Sequence, residues 1–591
     1  MPSACEFPNV NPYETSVMEI AGLDLETMSC EGTFKPDLTY ITEAHELKVN
    51  TEKVEEYFKI SDFQHCRYRH IFRNETNDNS FKYSEWSKPF RDKVDLPEDA
   101  EFLKVECTNK TFEVVSKTFF CLVPKHNEFD ETDLLNFKKR QVISSPKETL
   151  NIIMIGMDSL PRNQFLRGCN KTYSYLINSL KSFDLTMHSQ LGENTFPNFL
   201  PLFGGTSYDE IMKWWSDENY MDTFDLIFST FEKAGYQTLY TEDWPRIGAF
   251  HYLKKGFRRP FARYNTRPLT LAMSDEKDIW EYDSYCAGNQ LEMSFLLDYV
   301  SRFLQTFRNK PVFVVAMLGK PTHDQPTDAK MFDEHLLNFY RSLNQSGHLN
   351  NSLLVSFSDH GVRWGPLRNS RNGVVESRTP YTILTFPGWF LRKYPDVATN
   401  LKVNTKRLTS HFDTHATLLD LLYFKSDTPP PLAPLRHGIS LFEKISWDRT
   451  CVNASIPQEY CLCGYKSLEE LHVTSHISKT LASLVIDAIN SKTNTSICSV
   501  FKLRKVIRIL KVTLNENKST GETEKTIYKV KLAATPGDAV FEGNVYAPVN
   551  NIEHFTVHSE IHRLNLYRGQ ADCMNIAALR PFCYCKNLKT K

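Results

Sequence analysis

The pattern of hydrophobic and polar positions changes along this chain near residue 150. Before that point, apolar and polar positions alternate in short stretches such as 104–108 and 111–115, which predicts strands buried on one face. After it, short continuous apolar runs are typical of strands that are covered on both faces. We therefore predict a cysteine-containing, β-rich region over residues 1–145, followed by a different kind of sheet.

Four apolar runs of the second type are separated by segments with helical periodicity. The runs cover 151–158, 237–241, 311–318 and 352–358, and the helical patterns include 225–234 and 333–343. Strands that alternate with helices predict a mostly parallel α/β sheet flanked by helices. We assign this domain to residues 146–445.

A proline-rich stretch at 429–434 predicts a rigid connection, and residues 446–591 form a third, α+β region that is rich in cysteine. This region contains a predicted strand pair, 502–514 and 526–533. Seven of the 14 cysteines follow residue 450, some in close pairs such as Cys461/Cys463 and Cys583/Cys585. Zinc is the alternative use of such pairs, but no second Cys/His pair has the required spacing, so disulfides are favoured.

The cysteines indicate an extracellular or secretory-pathway location. Eight Asn-x-Ser/Thr tripeptides, the acceptor sequence for N-glycosylation, agree with it: Asn74, Asn109, Asn170, Asn344, Asn350, Asn453, Asn494 and Asn517. Residues 1–8 have neither the basic nor the apolar part of a signal peptide, so we expect a signal or anchor segment to precede them. No apolar run approaches the roughly 20 residues that span a bilayer.

The charges are nearly balanced, with 70 Lys and Arg against 71 Asp and Glu. A chain of this kind has no general basic field that would attract nucleic acid or an anionic membrane. An anionic substrate must therefore be bound by a few local cations.

Two of the apolar runs end in acidic residues. Asp158 follows the first run, and Asp359-His360 follows the last. Parallel sheets bind ligands at the carboxyl ends of their strands, and two carboxylates with an imidazole suit a divalent cation. The alternative is that each Asp caps a turn. Two such strand ends, with Gly361 allowing a close backbone approach, favour the metal site.

A candidate nucleophile lies in the segment Gly192-Glu-Asn-Thr-Phe-Pro-Asn. Thr195 precedes by two residues a proline that fits the first turn of a helix, where the helix N-terminus favours negative charge. Coordination to a divalent metal would lower the pKa of its hydroxyl enough for nucleophilic attack. The alternative is that Thr195 is an N-cap.

These segments carry a resemblance to the alkaline phosphatase/sulfatase superfamily over about 150–445. Asp158, Thr195, His323 and Asp359-His360 occur in the order seen there. Within it the chain resembles the uncharacterised animal family called domain of unknown function 229. The matching segments are Gly-Met-Asp-Ser-Leu-Pro-Arg162, Asn-Thr-Phe-Pro-Asn198, Ser-Asp-His-Gly-Val-Arg363, His437-Gly-Ile-Ser-Leu-Phe and Cys-Tyr-Cys585.

The resemblance implies an alkaline-phosphatase-like fold and a metal held by Asp158, Asp359, His360 and Thr195. It also implies that Thr195 attacks phosphorus or sulfur to form a covalent intermediate. Sulfatases carry at this position a Cys or Ser that becomes formylglycine, and no Cys-x-Pro-x-Arg segment occurs nearby. This departure disfavours ordinary sulfatase chemistry.

Further candidates surround this set. His323 follows the apolar run at 311–318 and could protonate a leaving group, bind a phosphoryl oxygen or ligate a second metal. His437 stands where a late histidine completes the second site in two-metal members of the superfamily. Arg363 is the preferred phosphate-binding arginine over Arg162 and Arg368, and Asn194 is a second candidate for substrate binding. Asp413 and His415 are predicted to have structural roles.

The sequence thus predicts a secreted or lumenal metal-dependent hydrolase that acts on phosphate esters through Thr195. One or two ions of Mn²⁺, Zn²⁺ or Ca²⁺ are expected. The alternatives are a phosphoethanolamine-type transferase, a sulfatase-like enzyme and a non-catalytic extracellular binding protein. The expected partner is a phosphorylated or sulfated small molecule, lipid or glycan, and not nucleic acid.

Overall fold

A computed structural model describes residues 5–587, apart from 59, 61, 126, 282–283, 371, 428–436, 464, 494–495, 515–525, 548–554 and 568. The predicted connection at 429–434 and the tripeptides at Asn494 and Asn517 lie outside the described residues. Asn170, Asn344, Asn350 and Asn453 are exposed, and Asn74 and Asn109 are partly exposed.

The central sheet has seven strands in the described part of the chain, labelled here in chain order. They are β1 Asn151–Met157, β2 Phe183–Asp184, β3 Gln237–Glu242, β4 Tyr264–Asn265, β5 Val312–Leu318, β6 Ser352–Phe357 and β7 Thr382–Thr385. The spatial order is β4-β3-β5-β1-β6-β7-β2. The first five strands in this order are parallel. β7 pairs antiparallel with β6, and β2 pairs antiparallel with β7, so β2 again runs in the direction of the first five. The predicted mostly parallel sheet is confirmed.

Continuous apolar runs form these strands because helices cover both faces of the sheet. Every residue of β5 and β6 is buried. Along β1, Ile153 and Ile155 face one core cluster, while Ile152 and Met154 face the other. Successive side chains of a strand point to opposite faces, so each apolar pair serves two cores.

The helices on the two faces differ from the predicted ones mainly in their ends. The predicted 333–343 helix is observed as Ala329–Gln345, and the predicted 225–234 helix as Ile227–Lys233. In the first, Phe332, Leu336 and Tyr340 are buried at intervals of four residues. The others in this domain are Arg162–Gly168, Asn170–Ser174, Thr195–Phe199, Tyr208–Ile211, Arg267–Ser274, Glu292–Thr306, Gly365–Asn369, Gly373–Glu376, Gly388–Lys393, Pro395–Asn404 and His411–Leu422.

The N-terminal region contains two antiparallel sheets. One has the strand order Phe81–Tyr83, Phe63–Arg73, Phe102–Asn109, Val114–Cys121, and the other Thr39–Ile41, Glu46–Val49, Lys93–Asp95. Its described residues also form the helices Thr15–Met18, Thr51–Tyr57 and Asn127–Ile143, none of which was predicted. The strand predicted at 111–115 begins only at Val114. Its first residues form a turn, because the Asn109 side chain accepts hydrogen bonds from the backbone N–H groups of Thr111 (3.0 Å) and Glu113 (2.9 Å).

The C-terminal region is a five-stranded antiparallel sheet with the helix His476–Ser491 on one face. Its strands, in spatial order, are Tyr465–Leu471, Lys502–Leu514, Thr526–Thr535, Ala539–Ala547 and Thr556–Arg563. The second and third pair antiparallel, as predicted.

Six disulfide bonds are present among the described residues, which confirms the predicted use of the cysteines. They are Cys5–Cys463, Cys30–Cys286, Cys66–Cys107, Cys451–Cys461, Cys498–Cys583 and Cys573–Cys585. The first ties the N-terminal segment to the C-terminal region. Cys121 and Cys169 are buried thiols.

Within the described ranges, no helix combines the length and the apolar character that crossing a membrane requires.

Candidate active site

The ends of β1 and β6 bring three predicted residues together. These strands are adjacent and parallel, so Asp158, Asp359 and His360 follow them at the same edge of the sheet. Nε2 of His360 lies 3.4 Å from Oδ1 of Asp158 and 3.3 Å from Oδ2 of Asp359. All three residues are buried.

The donor atoms of this group fit a divalent cation. Asp158 Oδ1, Asp359 Oδ2 and His360 Nε2 are buried and have no hydrogen-bond partner among the described residues. Nδ1 of His360 lies 2.9 Å from the carbonyl oxygen of Gly361 and donates to it, so Nε2 carries the lone pair. Buried polar atoms rarely stay unpaired. Two carboxylate oxygens and one imidazole nitrogen within 4.8 Å of one another form a plausible ligand set for a metal.

The local backbone explains how the group is held. Ser159 adopts a φ of 59°, which is uncommon outside glycine, and its N–H donates to Oδ1 of Asp359 at 3.2 Å. This hydrogen bond in the turn uses Oδ1 of Asp359, and Oδ2 is left for another ligand. At Gly361, a Cβ atom would lie 2.2 Å from the carbonyl oxygen of Glu376, so glycine is required there. Glu376 in turn forms a buried ion pair with Arg167 at 2.6 Å.

The electrostatics of the group favour a bound proton or a bound cation. Burial, and then the carboxylate of Asp359, raise the pKa of Asp158 well above its usual range. Burial lowers the pKa of His360 to about 4, so its imidazole is neutral at pH 7. A cation that binds here would displace the proton from Asp158.

Thr195 lies beside this group. It is the first residue of the helix Thr195–Phe199, and its hydroxyl donates to Oδ2 of Asp158 at 3.3 Å. Asn194, rather than Thr195, occupies the N-cap position and is exposed. The side chain of Asn198 holds the preceding loop, since it accepts from the N–H of Leu191 and donates to the carbonyl of Asn194, both at 2.8 Å.

His323 lies on the loop after β5, between two tryptophans. The rings of Trp244 and Trp364 lie nearly perpendicular to its ring, at 84° and 76°, with centroid distances of 5.5 Å each. Its Nδ1 is 2.8 Å from Oδ1 of Asp324. The loop is tied to the site because the hydroxyl of Thr322 donates to the carbonyl of Asp158 at 2.6 Å.

The three candidate arginines have different surroundings. Arg162 is paired with Asp184, and Arg368 is paired with Glu542 at 2.6 Å. Arg363 lies with its guanidinium 4.3 Å from the centroid of the Trp364 ring, and its buried Nε has no hydrogen-bond partner among the described residues. Its charge also opposes the rise in the pKa of Asp158. These surroundings favour Arg363 over the other two as a ligand for an anion.

The structure does not bring His437 to the Asp158 group. Its Nδ1 lies 2.8 Å from Oγ of Ser455, its Nε2 lies 3.1 Å from Oε2 of Glu210, and its ring packs on Phe412. Both ring nitrogens are therefore engaged elsewhere, and the second metal expected at His437 has no support.

Asp413 has a structural role, but as the third residue of the helix His411–Leu422 and not as the N-cap that the apolar pattern after it predicts. Its carboxylate accepts from the N-cap Ser410 and pairs with both terminal nitrogens of Arg449, at 2.9 Å and 2.8 Å. His415 is likewise buried, with Nδ1 3.0 Å from the carbonyl of Leu202, just beyond the helix Thr195–Phe199.

His415 should make stability depend on pH. Burial lowers its pKa to about 4, whereas an unfolded histidine titrates near 6.5. Between those values the unfolded chain binds a proton that the folded protein does not. We expect this residue to lower the free energy of unfolding by about 2 kcal/mol between pH 7 and pH 5. Urea denaturation at both pH values would measure it. Between pH 7 and pH 5, the free energy of unfolding of His415→Gln should fall by about 2 kcal/mol less than that of wild type. Equal decreases in the two proteins would contradict the lowered pKa of His415.

Sequence reasoning missed two acidic residues at the end of β3. Asp243 accepts from the backbone N–H groups of Gly319 (2.5 Å) and Lys320 (3.1 Å), and thus braces the loop that leads to His323. Glu242 has its pKa raised to about 7 by burial. The signal was available, because a carboxylate at a strand end is also what identified Asp158 and Asp359.

Two further buried histidines support the site, and no sequence pattern predicts them. Nε2 of His411 lies 2.6 Å from the carbonyl of Asp359, and its Nδ1 lies 3.4 Å from Nε2 of His188. These residues hold the backbone of a candidate ligand, yet they come from separate segments of no distinctive pattern.

The class of this protein follows from the fold and the site. It is an α/β protein with a candidate metal site at the sheet edge, where parallel strands end in Asp158, Asp359 and His360 beside the hydroxyl of Thr195. The chain belongs to the family described as "Protein of unknown function (DUF229)", whose profile matches residues 29–507. The resemblance found in the sequence motifs is confirmed. No curated protein matches the sequence.

Solved structures of similar proteins carry related titles. One is a protein in the alkaline phosphatase superfamily from Vibrio parahaemolyticus (10% identity, 73% of this chain and 86% of that chain, TM-score 0.35). Another is the soluble domain of lipooligosaccharide phosphoethanolamine transferase A from Neisseria meningitidis (14% identity, 47% of this chain and 90% of that chain, TM-score 0.34). A third is a sulfatase from Pseudoalteromonas sp. (12% identity, 74% of this chain and 86% of that chain, TM-score 0.34). Structural similarity at these TM-scores does not indicate a shared activity.

Proposed function

We propose that this protein is a secreted or lumenal metal-dependent enzyme that cleaves a phosphate ester through Thr195. One observation carries the proposal: three unpaired, buried donor atoms of Asp158, Asp359 and His360 converge beside the Thr195 hydroxyl. A binding protein that had only kept the fold would have no need of this complete set. The six disulfides support the location.

The candidate ligands are Asp158, Asp359 and His360, with the Thr195 oxygen as a fourth. A divalent cation bound there supplies Lewis-acid chemistry, which lowers the pKa of a coordinated hydroxyl and compensates charge on phosphoryl oxygens. Mn²⁺ and Zn²⁺ suit a mixed oxygen and nitrogen set, whereas Ca²⁺ takes six to eight oxygens. Because His437 is engaged elsewhere, one ion is the simplest assignment.

The protein's own groups can be given roles in the first half of the reaction. Oγ1 of Thr195 forms a bond to phosphorus as the bond from phosphorus to the leaving alcohol breaks. The threonine proton passes to Oδ2 of Asp158, its acceptor at 3.3 Å. His323, oriented by Asp324, gives a proton to the departing oxygen. Arg363 binds the non-bridging oxygens of the phosphoryl group.

The second half of the reaction releases Thr195. Water attacks phosphorus as the bond from phosphorus to Oγ1 of Thr195 breaks. His323 takes a proton from the water, and Oδ2 of Asp158 returns the threonine proton to Oγ1, which restores the enzyme and gives a hydrolase. If the hydroxyl of a lipid or glycan attacks instead, the same intermediate gives a transferase, and this alternative stays open. Sulfate esters are disfavoured, because Thr195 cannot be converted to formylglycine.

An activity screen tests this proposal. The protein would be treated with a chelator and restored with Mn²⁺, Zn²⁺ or Ca²⁺. It would then be assayed with a nitrophenyl phosphomonoester, a nitrophenyl phosphodiester and a nitrophenyl sulfate. We expect cleavage of a phosphate ester with Mn²⁺ or Zn²⁺ and none after chelation. Activity that survives chelation, or that is confined to the sulfate ester, would show the proposal to be wrong. Addition of glycerol as an acceptor separates hydrolysis from transfer.

A further inference from the structure

The C-terminal sheet buries charged residues on the face opposite its helix. The apolar residues Val530 and Phe541 pack toward the helix His476–Ser491. The alternating residues Lys531, Glu542 and His562 point to the other face and are also buried. Buried charges require partners. On this face the partners belong to the α/β domain.

Two of these residues form a cross-strand pair that contacts both loops of the candidate active site. Glu542 and His562 lie directly opposite each other on neighbouring antiparallel strands, so their side chains are neighbours on one face. Glu542 pairs at 2.6 Å with Arg368, which lies on the segment that follows Asp359 and His360. Nδ1 of His562 lies 2.7 Å from Oε2 of Glu193, two residues before Thr195.

The charges around Glu193 strengthen this connection. Nδ1 of His562 contacts its carboxylate at 2.7 Å, and Arg363 and Arg368 act on it electrostatically from the other side. Glu193 thus lies between the C-terminal sheet and the arginines of the segment that follows Asp359 and His360. The ring of Tyr460 lies 6.3 Å from that of His562 and restricts its orientation.

We propose that His562 is a positioning residue of the active site. The Glu542–His562 pair sets the spacing between the loop that carries Thr195 and the loop that carries Asp359 and His360. The pair lies beyond the residues that the family profile matches, 29–507, so family membership does not imply it. The catalytic consequence rests on the proposed function, whereas the positioning itself does not.

Kinetics of matched variants test the catalytic consequence. His562→Ala should lower kcat by about 10- to 100-fold, because misplacing a reacting group by about 1 Å has an effect of that size. Mn²⁺ affinity should fall much less than kcat, since Asp158, Asp359 and His360 stay in place and only the fourth candidate ligand, Thr195, is displaced. His562→Gln keeps an N–H donor for Glu193 and should recover most of the rate. The control is His558→Ala on the same strand, because Nε2 of His558 lies 3.9 Å from Oε2 of Glu459, which belongs to neither of the two segments.

Hydrogen exchange tests the positioning without any assay of activity. Amides of residues 190–199 should exchange faster in His562→Ala than in wild type, while those of β1 should not change. His558→Ala should match wild type in both segments. Unchanged exchange at 190–199, or faster exchange with an unchanged kcat, would overturn the proposal. If wild type cleaves no ester, the proposed function fails, and the exchange of residues 190–199 alone decides whether His562 positions the loop.

Discussion

Replacing Thr195 with alanine is expected to lower kcat for a phosphate ester by at least about 1000-fold, because it removes the atom that bonds to phosphorus. The other groups remain and could still bind substrate, so KM should change much less. The hydroxyl donates to Oδ2 of Asp158 at 3.3 Å and makes no other hydrogen bond among the described residues, so the variant should fold normally. Steady-state kinetics with the best ester from the screen would measure the loss.

Thr195→Ser is the matched control, since it keeps the hydroxyl and removes one methyl group. We expect it to retain activity within about tenfold of wild type. Mass spectrometry of acid-quenched wild type should reveal one added phosphoryl group on the peptide that contains Thr195, and none in the alanine variant. If Thr195→Ala is as active as wild type, the covalent mechanism is wrong.

Asp359→Asn is expected to weaken Mn²⁺ or Zn²⁺ binding by at least about 100-fold, with activity lost in parallel. Asp359 contributes an unpaired, fully buried carboxylate oxygen to the group, and the amide removes its charge. Isothermal titration calorimetry would measure the affinity. A thermal shift provides a second readout, because metal at 100 times its Kd should stabilise wild type by about 2.7 kcal/mol and the variant by much less.

His437→Gln is the informative control for metal binding, because sequence and structure disagree about this residue. Its nitrogens are engaged by Ser455 and Glu210, so the variant should bind metal as wild type does. If His437→Gln weakened metal binding as strongly as Asp359→Asn does, a site with two ions would have to be reconsidered. Equal metal binding by wild type and Asp359→Asn would contradict the ligand assignment itself.

The central sheet and the heart of the candidate site could be predicted from local sequence. A strand buried on both faces is largely apolar, so β5 is recognisable as seven consecutive apolar residues, while β1 and β6 are apolar after their first residue except at Gly156 and Ser356. Parallel strands end at a common edge, which is why Asp158 and Asp359-His360 could be expected to meet. The use of cysteine in disulfides also followed from number and spacing, although the six pairings did not.

Tertiary structure decided what depends on contacts between distant segments. His437 begins a conspicuous motif, but its ring is held by Ser455 and Glu210, which neither spacing nor periodicity relates to it. His411 and His188 support Asp359 from behind in the same way. His562 is one polar residue of an ordinary alternating strand, about 370 positions from Glu193 in the chain. Alternation determines which face such a residue occupies, whereas only the packing of the C-terminal sheet on the α/β domain determines that this face meets the loop of Thr195.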